Sequence, residues 1–186
     1  TDLAAAERLQ QALPADPLIC QLLVQRGITD VGDATSFFNP SLSHLHDPYL
    51  MRDMDLAVAR VDKALQAGEK ILLYGDYDVD GTTSVATMYA FLSTLSERLD
   101  YYLPDREKEG YGLSLAGVEY AREQGIKLLI AMDCGIKAHE AIDLANTYGI
   151  DVIVCDHHLP EGGLPAAVAN LDPKRPDCPY PYKELS

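Results

Sequence analysis

The chain has 186 residues, 47% of them hydrophobic, which is enough to bury one substantial core. Its 15 basic and 29 acidic residues give a formal net charge of −14. This charge on its own argues against a nucleic-acid partner, because affinity for nucleic acid comes from neutralising phosphates. No run approaches the roughly 20 apolar residues of a membrane span, and no secretory signal opens the chain. We therefore expect a cytoplasmic protein with no membrane segment and four widely spaced, reduced cysteines.

The pattern of residues 1–67 predicts a small helical region. Asp16, followed by a proline, is a typical N-cap ahead of an apolar-periodic segment, and Gly27 ends that helix. A short amphipathic helix is predicted around residues 31–38. After a looser stretch, apolar residues at helical spacing predict a longer helix that ends at Gly68.

From residue 70 the pattern changes to short apolar runs separated by helical segments. The runs lack polar alternation and cover residues 71–74, 99–103, 128–132 and 152–155. Helices are expected between them, near residues 82–96, 114–124 and 136–147. This alternation predicts an α/β fold with a mostly parallel sheet, flanked by helices and covered on both faces. We assign residues 1–67 to a helical amino-terminal region and residues 68–186 to the α/β domain.

Three of the four apolar runs end in acidic clusters. The clusters are Asp76, Asp78 and Asp80 after the first run, Asp133 after the third, and Asp156, His157 and His158 after the fourth. Ligands bind beyond the carboxyl ends of the strands in open parallel sheets, so the clusters should converge. So many carboxylates repel one another unless bound cations compensate them. Carboxylate and imidazole donors without thiolate favour manganese or magnesium over zinc or iron.

Residues 76–81 can be interpreted in two ways, as a turn into a phosphate-binding helix or as a calcium loop. In an extended chain its three aspartates would face one side, with Gly81 supplying a turn into a helix that begins at Thr82. That helix would offer free N–H groups to a phosphate. The spacing also matches the start of an EF-hand calcium loop, but position 12 is Thr87 where a glutamate is required. A calcium loop is therefore not favoured.

The other clusters, taken singly, have ordinary structural explanations. Asp133 is typical of a helix cap or a turn, and the segment 156–158 of a solvated loop. Together these explanations would require three coincidences at equivalent strand ends. The sequence therefore favours a common metal site.

The motifs YGDYDVDG at residues 74–81, DCG at 133–135 and DHH at 156–158 resemble, in order and spacing, those of DHH phosphoesterases. The resemblance extends to the RecJ-type exonucleases of this family. It does so through LLVQRGI at 22–28, FFNPSLSHLHDPYLMRDM at 37–54, REKEGYGLS at 106–114 and CPYPYKEL at 178–185. It covers nearly the whole chain and implies the DHH phosphoesterase fold, incomplete at its carboxyl end.

The resemblance also implies roles for the motif residues. Asp78 and Asp80 would bind separate metal ions, Asp133 would bridge both, and His157 would join Asp80 on the second ion. Asp76 is a further candidate ligand. Another aspartate ligand is expected beyond Ser186, so the chain by itself could be inactive.

The remaining implied roles concern substrate. His158 would contact the scissile phosphate, and with Asp78, Asp80, Asp133 and His157 it completes the implied catalytic set. Asp156 would orient an imidazole. The loop residues expected to contact substrate phosphate and base are Arg106, Gly110, Tyr111 and Gly112.

The function implied by the resemblance is two-metal hydrolysis of single-stranded DNA from its 5′ end, with Mn²⁺ or Mg²⁺, in DNA repair and recombination. It further implies a monomer, with single-strand-binding protein and a helicase as partners. One alternative is a DHH hydrolase of short oligonucleotides or cyclic dinucleotides. Another is a non-catalytic domain, either receiver-like or a scaffold.

Overall fold

The computed structural model describes residues 2–185 and contains two compact units, Thr1–His46 and Asp47–Ser186. The helix before residue 68 belongs to the second unit, so these units divide earlier than the predicted domain boundary at 67/68. That boundary stays a prediction about domain organisation. Across residues 2–185, no helix is both long enough and apolar enough to cross a membrane. All four cysteines are free thiols.

The first unit is a small helical bundle. Its helices are α1 (Leu3–Ala12), α2 (Pro17–Gln25) and α3 (Val31–Phe38), followed by a 3-10 turn at Leu42–His44. Each helix begins where an aspartate side chain accepts a hydrogen bond from a backbone N–H of the first turn, as Asp16 does from Leu18. The helices enclose a core of Ala5, Ala6, Leu9, Cys20, Leu23, Val24 and Ala34.

The second unit contains the sheet. After a 3-10 turn at Pro48–Leu50 its elements are α4 (Met54–Ala67), β1 (Ile71–Gly75), α5 (Val79–Leu92), β2 (Leu99–Tyr102), α6 (Leu115–Glu123), β3 (Leu128–Met132), α7 (His139–Thr147), β4 (Asp151–Cys155) and β5 (Ala169–Leu171). All five strands are parallel, in the order β2-β1-β3-β4-β5. The predicted α/β fold with a parallel sheet flanked by helices is confirmed.

Both faces of the sheet are covered, as the apolar runs predicted. On one face Leu72 and Leu129 pack against α6 and α7, and on the other Ile71 and Ile130 pack against α4 and α5. The prediction that every strand is covered on both faces was wrong for β2, where Tyr101 is 57% exposed. Strand β2 lies at the end of the strand order, so the sheet shields it on one side only.

At the ends from which the strands start, here called the amino edge, charged side chains are paired. The buried Arg60 guanidinium donates to Asp151 (2.5 Å) and to Glu69 (2.6 Å), and also to the carbonyl of Lys127 (3.2 Å). These contacts join α4 to residues at the starts of β1, β3 and β4. The opposite ends of the strands, the carboxyl edge, carry the acidic motifs.

Candidate metal and phosphate site

An aspartate follows each of four neighbouring strands at the carboxyl edge. In the sheet register Gly75 pairs with Met132, Met132 with Cys155, and Cys155 with Leu171. The next residue of each strand is an aspartate, which gives a row of Asp76, Asp133, Asp156 and Asp172 at one level of the sheet. Parallel pairing therefore brings the three predicted clusters together, and it adds Asp172.

The segment after β1 curls immediately into a helix. Helix α5 begins at Val79, because the Asp78 carboxylate accepts hydrogen bonds from the backbone N–H groups of Asp80 (3.0 Å) and Gly81 (3.1 Å). The predicted helix start at Thr82 was wrong by three residues, since it overlooked Asp78 as the cap. Gly81 is required for another reason: a Cβ there would overlap the backbone of Asp76.

Asp133 occupies a strained and buried position. Its φ of 61° lies in the left-handed region that non-glycine residues seldom adopt, a feature common at functional sites. Its Oδ1 lies 3.0 Å from Nε2 of His157. Burial, together with the neighbouring carboxylate of Asp78, raises the pKa of Asp133 to about 6, although His157 acts in the opposite direction. Asp133 therefore lies between an acid and an imidazole.

Asp156 holds the DHH segment in place. Burial alone would raise its pKa, but hydrogen bonds from the Ile136 N–H and from His158 keep the pKa below its usual range. Its Oδ1 lies 2.7 Å from Nδ1 of His158 and also accepts from the backbone N–H of His157 (2.7 Å). Asp133, His157 and His158 each present one possible ligand atom, all within 4.8 Å of one another.

Three carboxylate oxygens along this edge are buried and lack a hydrogen-bond partner among residues 2–185: Oδ2 of Asp76, Asp133 and Asp172. Asp76 is fully buried and its other oxygen accepts weakly from the Gly112 N–H (3.5 Å). A buried carboxylate oxygen without a donor is costly, so these atoms indicate a place for cations.

The Arg106 loop approaches the site from the side. The guanidinium of Arg106 lies over the Tyr77 ring, 5.3 Å from its centroid. The Tyr77 ring in turn meets Tyr111 edge-on at 6.4 Å. Tyr111 is flanked by Gly110 and Gly112, whose φ values are +80° and +87°. The structure therefore brings the predicted substrate loop beside the acidic motifs.

A cavity of about 680 Å³ opens next to the acids. Its lining includes polar residues such as Asp80, Asp133 and His157. It also includes all four methionines of the chain: Met51, Met54, Met88 and Met132. The sequence pattern did not reveal this cavity, since its apolar residues come from segments far apart in the sequence.

Asp172 is the site residue that the sequence analysis missed. It follows β5, a strand of three residues that the apolar pattern did not predict. Burial and the nearby Asp156 raise its pKa, despite a hydrogen bond from the Lys174 N–H. The available signal was an aspartate directly after a short apolar run, as in the other three strands.

Comparison with known proteins identifies the family. Residues 70–181, more than half of the chain, match the model of the DHH family, N-terminal domain. The chain is 41% identical over 178 residues to the single-stranded-DNA-specific exonuclease RecJ of Bacillus subtilis, covering 96% of this chain and 23% of that relative. It is 36% identical over 177 residues to the Escherichia coli RecJ exonuclease, covering 94% of this chain and 30% of that relative.

A solved structure shows the same arrangement of elements. RecJ from Thermus thermophilus in complex with Mn²⁺ matches with a TM-score of 0.71 and 26% identity, over 96% of this chain and 24% of that chain. The chain spans 23% and 30% of the length of the two curated relatives named above. The matched region includes all three motifs and the sheet that supports them, and the chain therefore belongs to the DHH family.

Proposed function

We propose that this chain carries the catalytic motifs of a metal-dependent exonuclease that hydrolyses single-stranded DNA from its 5′ end. The observation that supports this most directly is the row of aspartates beyond four parallel strands, with buried, unpartnered oxygens and two histidines beside them. Such a set of oxygen and imidazole donors suits Mn²⁺ or Mg²⁺. The relatives named above are single-stranded-DNA-specific exonucleases, and one solved relative contains Mn²⁺.

The donor set fits a pair of divalent cations. Asp78 and Asp80 would serve separate ions, with Asp133 shared between them and His157 beside Asp80. The central place of Asp133 is supported by its contact with Nε2 of His157 and by the nearness of Asp78, which contributes to its raised pKa. Asp76 is a further candidate ligand, because one of its buried oxygens is unpartnered in the described structure. When bound, the cations would stabilise negative charge on the phosphoryl group and lower the pKa of attacking water.

The chain's other residues would bind and orient the substrate. Asp156 fixes the ring of His158 through Nδ1, so His158 is held ready to hydrogen-bond a phosphoryl oxygen. Arg106, supported on the Tyr77 ring, would hold a second phosphate, and the exposed ring of Tyr111 would stack on a base. Gly110 and Gly112 allow the backbone on both sides of that ring to adopt positive φ.

The proposal extends to the biological setting that the family resemblance implies. We propose that the protein acts in the cytoplasm as a monomer in DNA repair and recombination, alongside a single-strand-binding protein and a helicase. Residues 1–186 have a net charge of −14, which repels a long phosphate chain. Most of the DNA-binding affinity would therefore come from other parts of the protein.

The test is a hydrolysis assay with Mn²⁺ and single-stranded DNA labelled at either the 5′ or the 3′ end. Early release of labelled mononucleotide from the 5′-labelled strand is expected, with the 3′ label appearing late. Double-stranded DNA, RNA, dinucleotides and a cyclic dinucleotide are assayed in parallel. The matched control is Asp133→Asn, which keeps the side-chain shape and suits the left-handed backbone.

Two outcomes would contradict the proposal. Faster hydrolysis of dinucleotides or cyclic dinucleotides than of long single strands would indicate a small-substrate hydrolase. Equal activity in the wild type and in Asp133→Asn would show that the aspartate row does not carry the reaction.

A further inference from the structure

Both ring nitrogens of His158 have partners. Nδ1 lies 2.7 Å from Oδ1 of Asp156, and Nε2 lies 2.9 Å from the hydroxyl of Tyr111. The Tyr111 hydroxyl also lies 3.3 Å from Nδ1, so it contacts the ring beside both nitrogens, while Asp156 bonds the ring at Nδ1. The same Tyr111 hydroxyl is 3.3 Å from the carbonyl oxygen of Asp133.

The directions of these hydrogen bonds follow from the other contacts of Asp156. Its oxygens accept from the backbone N–H groups of Ile136, His157 and His158, as an ionised carboxylate does. Nδ1 of His158 is therefore the donor in its bond to Asp156. The single proton of the Tyr111 hydroxyl can be donated to the carbonyl oxygen of Asp133, while its oxygen lies against the His158 ring.

The position of the Tyr111 hydroxyl is set by the loop that carries it. Next to it, the Gly112 carbonyl accepts a hydrogen bond from the buried hydroxyl of Tyr74 on β1 (2.9 Å). The Gly112 N–H points to Asp76. Tyr111 itself remains 56% exposed, so its ring is accessible while its hydroxyl is engaged.

We propose that Tyr111 is a positioning residue, whose hydroxyl, together with Asp156, holds the orientation of the His158 ring. This role rests on the proposed function and differs from base stacking, which uses the ring face of Tyr111. The hydroxyl lies against the His158 ring in the substrate-free protein. The two roles separate in Tyr111→Phe, which keeps the ring and removes only the hydroxyl.

The first experiment needs no activity. The chain is labelled with ¹⁵N-histidine, and the imidazole nitrogens of His158 are followed by NMR in the wild type and in Tyr111→Phe. The Nε2 resonance of His158 should shift and broaden, while that of His139 stays in place. Tyr148→Phe is the matched control, since it also removes a hydrogen-bonded tyrosine hydroxyl, which there donates to the carboxylate of Glu119 on α6. Unchanged His158 resonances in Tyr111→Phe would overturn the proposal.

The second experiment measures hydrolysis of the p-nitrophenyl ester of thymidine 5′-monophosphate with Mn²⁺. Loss of an orienting hydrogen bond should lower kcat by roughly tenfold in Tyr111→Phe and leave KM within about twofold. A higher KM with unchanged kcat would overturn the positioning role, because the hydroxyl would then bind substrate instead. If the wild type fails to hydrolyse both this ester and DNA, the proposed function fails, and the NMR result still decides the role of Tyr111.

Discussion

The two edges of the same sheet treat their acidic residues differently. At the amino edge Asp151 and Glu69 share the buried guanidinium of Arg60, and every one of these groups has an oppositely charged partner. At the carboxyl edge Asp76 and Asp133 are buried among other acids and two histidines. The amino edge therefore pairs its acids with a buried arginine, whereas no arginine or lysine within residues 2–185 forms an ion pair with Asp76 or Asp133.

This difference separates acids that contribute to stability from acids that the proposed function assigns to binding. A carboxylate paired with arginine contributes to the folded state, whereas a carboxylate without a cation destabilises it. Sites that keep such a cost are those where a ligand offsets it. Substitutions at the two edges should thus have opposite effects on stability and activity.

The largest effect is expected for Asp133→Asn. Hydrolysis should fall by more than roughly 100-fold, because the ligand proposed to be shared by both metal ions is lost. The metal-free variant should also be more stable by about 1 kcal/mol, since a buried charge beside Asp78 is removed. Hydrolysis rates measure the first effect and urea unfolding measures the second. Asp76→Asn should lose less activity than Asp133→Asn. A destabilised variant would contradict the contrast between the edges.

Arg60→Met at the amino edge should lower stability and leave activity nearly unchanged. Its unfolding free energy should fall by roughly 2 to 3 kcal/mol, somewhat less than for a fully buried pair because Asp151 is half-exposed. Urea unfolding gives this value, while hydrolysis below the unfolding transition should stay within about twofold of wild type. A loss of activity as large as that of Asp133→Asn would mean that the edges are coupled.

A smaller effect is expected from the metal alone. Mn²⁺ at about ten times its Kd should stabilise the wild type by about 1.4 kcal/mol, seen as a higher Tm. The shift should disappear in Asp133→Asn and persist in Asp62→Asn, which removes the same charge from the exposed face of α4. Equal shifts in all three proteins would place the binding outside the carboxyl edge.

The smallest effect concerns DNA binding by residues 1–186. Two divalent ions change the net charge only from −14 to −10, so single-stranded DNA should bind no more tightly than about 1 μM at moderate salt. Fluorescence anisotropy with Asp133→Asn measures this without cleavage. Nanomolar affinity would mean that the DNA path already lies within these residues.

The sequence predicted the sheet well because its central strands are continuous apolar runs. Strand β3 has the predicted bounds, and β1 and β4 differ by one residue each. The convergence of the motifs was also predictable, since it requires only parallel strands with acids after them. The ligand assignments and the roles of Arg106 and Tyr111 stay predictions.

Other features depended on a very short strand or on specific side-chain contacts. Strand β5 has only three residues, too few for a pattern, so Asp172 was not connected with the site. The start of α5 depends on how Asp78 turns its carboxylate back to the N–H of Gly81. The hydroxyl contact between Tyr111 and His158 joins residues 47 positions apart, which no local pattern reveals.

The cavity beside the acids gives the protein an intrinsic spectroscopic probe. All four methionines line its wall, so a chain labelled with ¹³C at the methionine methyl groups would show four signals from a single location. A group that enters the cavity would move these signals, while one that binds only at the exposed Arg106 loop would leave them in place. The methionine spectrum alone would therefore report how deeply a nucleotide or a neighbouring segment of protein penetrates.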